Sequence, residues 1–151
     1  MVRPAVERLV DHDEFLLKTN ASERSITHRP GMYLPDEFPC LDADCQYNRE
    51  GTDGEPKHLD IAPIFPDIII HKRGENNAMN LLVIEVKKLN NQEVARDRQR
   101  VCEFTRVGGR FEYKIGLLLR LPDGDAAKSA DVEYEWLPDP RDGPIVKGSP
   151  I

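Results

Sequence analysis

The chain reads as a mixed α/β domain on three observations. Its first quarter repeats apolar residues at helical spacing. Two β-rich runs, residues 67–71 and 81–87, flank a turn-forming stretch. A helical segment and another apolar strand follow, giving the order helices, strands, helix, strand.

Pro4 suits a first helical position, and Val6, Leu9, Val10, Leu16 and Leu17 then recur on one face, so the spacing predicts an amphipathic helix over 4–18. Asn20 followed by Glu23 resembles a capping box. Ile26, Thr27, Tyr33 and Leu34 extend one face of a second helix from about 21, which Pro30-Gly31 should kink or end. Alternating Ala43, Cys45 and Tyr47 suggest a strand over 42–49. Residues 50–66 hold three prolines and two glycines among charges and read as a long loop. The runs 67–71 and 81–87 then form a hairpin across residues 72–80. Asn90 or Asn91 caps a helix to about Val107, with Val94, Ala95, Val101 and Cys102 on its apolar face and Gly108-Gly109 as its stop. Residues 111–121 form the next strand. Val132, Tyr134 and Trp136 alternate with acids in an edge strand exposed on one face. Four prolines in residues 138–151 make that stretch an irregular tail, leaving a single domain over 1–137.

With 21 basic and 27 acidic side chains the net charge is 21 − 27 = −6, and 39% of the 151 residues are apolar. A chain of this length buries roughly two thirds of its unfolded surface and folds without staples. No apolar run approaches the roughly 20 residues of a spanning helix, and no membrane role is expected. The first residues lack the apolar core of a secretory signal, and three scattered cysteines fit a reducing compartment, so a cytoplasmic protein is expected. Zinc held by Cys40, Cys45 and His58 would rest on a weak pattern, and buried or incidental thiols are the better reading. The acidic balance argues against a generic nucleic-acid coat. From Glu85 to Arg110, however, seven basic residues face four acidic ones, 7 − 4 = +3, so the chain has a basic side.

The run 81–88 is apolar on both faces until its end, which marks a central strand and makes Glu85 a partly buried carboxylate in need of a partner. If the turn centres on Asn76, hairpin partners sum to 152: His71 faces Leu81, Ile69 faces Val83, and Asp67 faces Glu85. Opposed like charges are destabilising unless a cation sits between them. Oxygen ligands suit magnesium or manganese. Lys87, two residues on, points the same way. A carboxylate-bound cation beside a lysine suits phosphodiester hydrolysis, in which metal and ammonium offset charge growing on the attacked phosphate. Glu23 could add a third acid.

Pro66-Asp67, seventeen intervening residues, then Glu85-Val86-Lys87 resembles the PD-(D/E)xK nuclease signature. The resemblance covers about residues 20–121. It implies a restriction-endonuclease-like core in α-β-β-β-α-β order, with a mixed central sheet of four to five strands flanked by helices. It also implies Asp67, Glu85 and the Val86 carbonyl as metal ligands, Lys87 as the residue that positions the attacking water, and Glu23 as a helical acid.

Lys88, Gln92 and Arg98 are candidate substrate contacts, with a solvent-seeking stem the plainer reading of Arg98. Asp44 could face the site or water. His71 shares the site face one pleat away and reads as a hydrogen-bonded structural histidine. The expectation is a magnesium- or manganese-dependent nuclease, cutting DNA rather than RNA. Its rival is a catalytically silent binding or regulatory subunit of the same fold. One small domain offers little surface to embrace a duplex, so a homodimer or a larger protein partner is a further expectation.

Overall fold

The computed structural model describes residues 1–59, 62–91, 94–124 and 131–137. It opens with helices α1 (Val2–His12), α2 (Glu14–Lys18) and α3 (Glu23–Glu37), then strand β1 (Asp42–Cys45). Two short ribbons follow, β2 (Arg49–Glu50) with β3 (Glu55–Pro56) and β4 (His58–Leu59) with β5 (Ala62–Pro63). The hairpin strands β6 (Ile68–His71) and β7 (Leu82–Lys88) come next, then α4 (Val94–Thr105), β8 (Ile115–Leu121) and β9 (Glu133–Leu137). The tail 138–151 lies outside the described residues. Among those described, no helix is long and apolar enough to cross a membrane.

Five strands form one mixed sheet in the order β1-β6-β7-β8-β9, with only the β7–β8 pair parallel. β7 is central, as its two apolar faces predict. Leu82, Ile84 and Val86 pack with Leu117, Leu119 and Leu121 under α1, α2 and α3. Val83 and Leu118 pack under α4 with Val101 and Phe104 on the opposite face. The result is a three-layer arrangement. Each fully buried Ile, Leu or Val contributes about 1.5–3 kcal/mol. A one-residue slip of β7 would turn its charged set into the α1–α3 layer and its apolar set the other way, so the alternation pins the register.

Several elements depart from the sequence expectation for identifiable reasons. The helix over 4–18 breaks at Asp13, whose carboxylate accepts the Tyr33 hydroxyl at 2.6 Å and pairs with Arg29 at 2.7 Å. α3 runs through Pro30 and Pro35 instead of ending. Gly31 allows its close approach to β1, because a Cβ there would stand 2.2 Å from the Cys45 sulfur. The strand over 42–49 stops at Cys45, since Gln46 takes φ +54°. The expected loop 50–66 contains the two ribbons, which close over Lys57: that side chain is buried and donates to the Arg49 carbonyl. The strand expected from 111 begins at Ile115. Phe111 and Tyr113 instead fold back beneath α4, the Tyr113 N–H bonding the Phe104 carbonyl at 2.9 Å.

α4 lies so close to β8 that a Cβ on Gly116 would meet Val101 at 2.3 Å. β9 is an edge strand whose polar face stays exposed at Glu133 and is covered at Glu135, where Arg98 of α4 donates two hydrogen bonds of 2.8 and 2.7 Å. All three cysteines are free thiols.

Candidate active site

The hairpin pairs Ile68 with Ile84, Ile69 with Val83 and Ile70 with Leu82, so its partners sum to 152. At the turn end the ladder stops short of His71 and Leu81, and the Leu81 N–H bonds the Ile70 carbonyl at 2.9 Å. At the other end β6 begins at Ile68, which leaves Asp67 just before the ladder, beside Glu85. There the Val86 N–H has no strand to bond, and the Asp67 carboxylate takes it at 2.9 Å. The other Asp67 oxygen accepts from the Gln46 amide at 2.8 Å. The left-handed turn at Gln46 therefore serves the site as well as ending β1.

Glu85 is 1% exposed and lies beside Asp67, close enough for each carboxyl to shift the other. Burial pushes its carboxyl well above the usual carboxylate range, and the charges of Asp67 and Asp97 push the same way, against Arg100 and Lys87. Burial also raises Asp67, although the Val86 N–H, Lys87, Arg100 and the Glu85 hydroxyl all work against it. Two adjoining carboxyls inside a protein cannot both ionise cheaply, so in the absence of a cation the pair holds its last proton to higher pH than an ordinary carboxyl would. Glu85 Oε1 is buried with no hydrogen-bond partner. Its nearest cation, Arg100 Nη2, stands 3.6 Å away.

Lys87 projects from the same face of β7. Its ammonium lies 3.1 Å from Glu23 and 3.6 Å from Asp97. Burial alone would lower its pKa, but the Glu23 hydrogen bond and the charges of Asp97, Glu23 and Asp67 outweigh this and hold it above the ordinary lysine value. Lys87 is therefore a lasting cation, suited to offsetting negative charge and unsuited to removing a proton. Glu23 is not a helix cap. Ser22 caps α3 by accepting the Ser25 N–H, and Asn20 takes φ +54° and receives Lys88. Freed from capping, Glu23 accepts from Lys87 and from the Asn91 amide at 2.9 Å, and those bonds outweigh burial to keep it ionised.

The structure thus gathers Asp67, Glu85, Lys87 and Glu23 at the carboxyl end of β7, with Glu23 held on the lysine rather than on the acid pair. Val86 points its side chain into the opposite layer. Because N–H and C=O of one strand residue leave on the same edge, its carbonyl shares the N–H's side, past the start of β6. Lys88 is spent on Asn20 and Arg98 on Glu135. Arg98, expected either to contact phosphate or to reach solvent, makes a bidentate ion pair while its side chain stays 40% exposed. Gln92 lies outside the described residues. Asp44 faces neither the acid pair nor open water. It accepts from His71 Nε2 at 2.9 Å and from Arg73 Nε at 2.7 Å, which makes His71 the hydrogen-bonded residue its position predicts.

Four site residues went unread in the sequence: Gln46, Asn91, Asp97 and Arg100. Only Asp97 left a signal, since it sits between Val94 and Val101 at i+3 and i+7, the apolar face of α4. It is 5% exposed and pairs with Lys87 and with Arg100 at 3.5 Å. The basic side read from residues 85–110 is mostly neutralised within the fold. Of its seven cations, Arg96 alone has no hydrogen bond or ion pair among the described residues.

Among the described residues no three His, Cys, Asp or Glu side chains are gathered in a ready metal cluster. The residues present nonetheless fit a hard divalent cation. Magnesium takes one or two carboxylates and completes its shell with water and phosphate oxygens. Asp67 and Glu85 supply the carboxylates, Glu85 Oε1 is an unused buried oxygen, and the Val86 carbonyl leaves on the same edge. Comparison with protein-family models, with curated proteins and with solved structures found no match for the chain.

Proposed function

We propose that the protein is a metal-dependent nuclease of the PD-(D/E)xK type that hydrolyses phosphodiester bonds, in DNA rather than RNA. One observation carries this reading: two carboxyls, Asp67 and Glu85, are held together inside the protein with an orphaned oxygen, on the strand face that also presents the Lys87 ammonium. A purely structural buried pair would be expected to satisfy its oxygens. The helix, three strands of the main sheet, helix, strand succession of α3, β1, β6, β7, α4 and β8 supports the restriction-endonuclease-like core that the motif implies.

A divalent cation bound by Asp67 and Glu85 supplies a Lewis acid for the phosphate and for the attacking water. The chain's own residues do the rest. The Val86 N–H and the Gln46 amide hold Asp67 in one orientation, so the acid pair is preorganised. Lys87 stays protonated and offsets the charge that grows on the nonbridging phosphate oxygens. Glu23 and Asp97 steer that ammonium from either side. Arg100, 3.6 Å from Glu85 and 3.5 Å from Asp97, would place its guanidinium within reach of a phosphate at the acid pair.

The silent-subunit reading has one observation in its favour. Lys87 is paired with Glu23 and Asp97, and Arg100 with Asp97 and Glu85, so most of the charge is answered within the chain. Calorimetric titration with manganese, followed by incubation with plasmid and linear DNA, separates the two. Manganese binding with cutting that is lost in Lys87→Ala and Asp67→Ala variants of unchanged circular dichroism is expected. Binding without cleavage of any nucleic acid supports the silent subunit, and equal cutting by wild type and Lys87→Ala defeats the nuclease assignment.

A further inference from the structure

We infer that the cleft between the β4–β5 ribbon and α4 receives one unpaired nucleotide of the substrate strand, next to the phosphate that is cut. The inference rests on the nuclease reading and adds a substrate class to it: strands with unpaired bases in preference to intact duplex.

The cleft has a volume of about 380 Å³. That is the scale of a small-ligand site, with room for a base and its sugar but not for a double helix. Its two walls differ in chemistry. Leu59, Pro63 and Ile64 form an apolar side against which a base can lie, and α4 presents Arg96, Gln99 and Arg100 opposite. Arg100 joins the cleft to the acid pair, because its guanidinium also stands 3.6 Å from Glu85 and 3.5 Å from the Phe65 carbonyl. A nucleotide seated in the cleft would have its own phosphate at that guanidinium.

The charge pattern matches such an occupant. Arg96, which has no hydrogen bond or ion pair among the described residues, lines the cleft. The acid on the lining, Glu103, is bound by Arg106 at 3.0 Å. A side-chain amide such as Gln99 can exchange two hydrogen bonds with the Watson–Crick edge of a base, which is free only when the base is unpaired. Taking a base out of a duplex costs a few kcal/mol, which a strand already unpaired avoids. The net charge of −6 gives the chain little general hold on a duplex backbone, so this local site matters more than it would on a basic protein.

The test is fluorescence anisotropy in EDTA with an end-labelled single-stranded DNA of about ten nucleotides and its blunt duplex. The single strand should bind more tightly than the duplex. Arg96→Glu and Gln99→Glu, both at exposed positions, should each weaken single-strand binding about tenfold, and Arg96→Glu should cut the salt slope by about one or more. Lys114→Glu, an exposed charge reversal at the opposite end of the sheet, should have little effect, and all three variants should bind manganese as wild type does in calorimetry. Equal affinity for duplex and single strand, unchanged binding by both cleft variants, or equal loss in Lys114→Glu would overturn the cleft assignment. If wild type still cuts DNA in those cases, the nuclease reading survives without it. A wild type that neither binds nor cuts nucleic acid with manganese present removes both.

Discussion

Asp67 and His71 stand four residues apart, on one face of the sheet and separated by roughly 13 Å of strand, yet the polar groups around them are composed in opposite ways. Around His71 itself the account closes, and the one loose end nearby among the described residues is a neutral hydroxyl, that of Tyr113, buried without a hydrogen-bond partner. The His71 Nε2 meets Asp44, Asp44 also holds Arg73, and Lys57 nearby donates to a carbonyl and lies 4.8 Å from the Tyr47 ring centre. Around Asp67 it does not. Two carboxyls that resist joint ionisation adjoin, Glu85 keeps an unused oxygen, and the nearest cation stands beyond hydrogen-bond distance of that oxygen. The first cluster resembles what folding alone would select. The second carries an electrostatic cost that a bound cation would relieve, and unrelieved cost of this kind is where function is to be sought.

The sharpest way to break this comparison is to remove charged side chains from each end. Lys87→Ala and Asp67→Ala should lower the cleavage rate by about a hundredfold or more, since the first deletes the cation that offsets charge formed during reaction and the second a ligand that would hold the metal. Asp44→Ala should leave cleavage by the folded protein near wild type in gel assays of single-turnover cutting. If Asp44→Ala abolishes cutting at full folding, the His71 cluster belongs to the site and the division fails.

Stability should divide the ends in the reverse sense. Asp44→Ala strands the buried His71 and should cost about 2 kcal/mol in urea unfolding, by loss of a partner to a buried polar group. Glu85→Gln replaces a carboxyl under repulsion with a neutral isostere. It should stabilise the metal-free protein by about 1 kcal/mol while weakening manganese binding, a trade expected of a functional residue. A Glu85→Gln protein less stable than wild type in EDTA would mean that the carboxyl is structural.

The smallest effect is in pH. Glu85 has a folded pKa above its unfolded value near 4.5, so its stabilising contribution is complete below that value and is lost as pH rises through the raised one. His71 is pushed below its ordinary 6.5, first by burial, although Asp44 works against this. The folded state therefore disfavours the imidazolium. Stability is gained as pH rises from the lowered value to 6.5 and is complete above it. In urea unfolding at several pH values in EDTA, Glu85→Gln should remove a falling component and His71→Gln a rising one, each on the order of 1 kcal/mol. Parallel profiles for wild type and both variants would refute the opposed shifts.

The fold was legible where one residue type dictated one environment. The doubly apolar run 81–88 could only be an inner strand, and the turn centred on Asn76 then placed Asp67 beside Glu85 by arithmetic alone. Glu23 shows the limit. Asn20 and Glu23 have capping-box spacing, but Ser22 is the cap, and the acid's true partners, Lys87 and Asn91, lie more than sixty residues away. Arg98 shows the same limit, because nothing near it in sequence announces Glu135 on β9.

The sequence by itself determined the layers, the central strand, the hairpin register and the meeting of two acids, because alternation and turn length act between neighbours along the chain. Only the tertiary structure decided how the charges are answered: Gln46 on Asp67, Glu23 and Asp97 on Lys87, Arg100 beside Glu85, and the cleft that Arg100 shares with Arg96. Ion pairs join groups by distance in space, and sequence periodicity carries no record of which strand end a distant helix will approach.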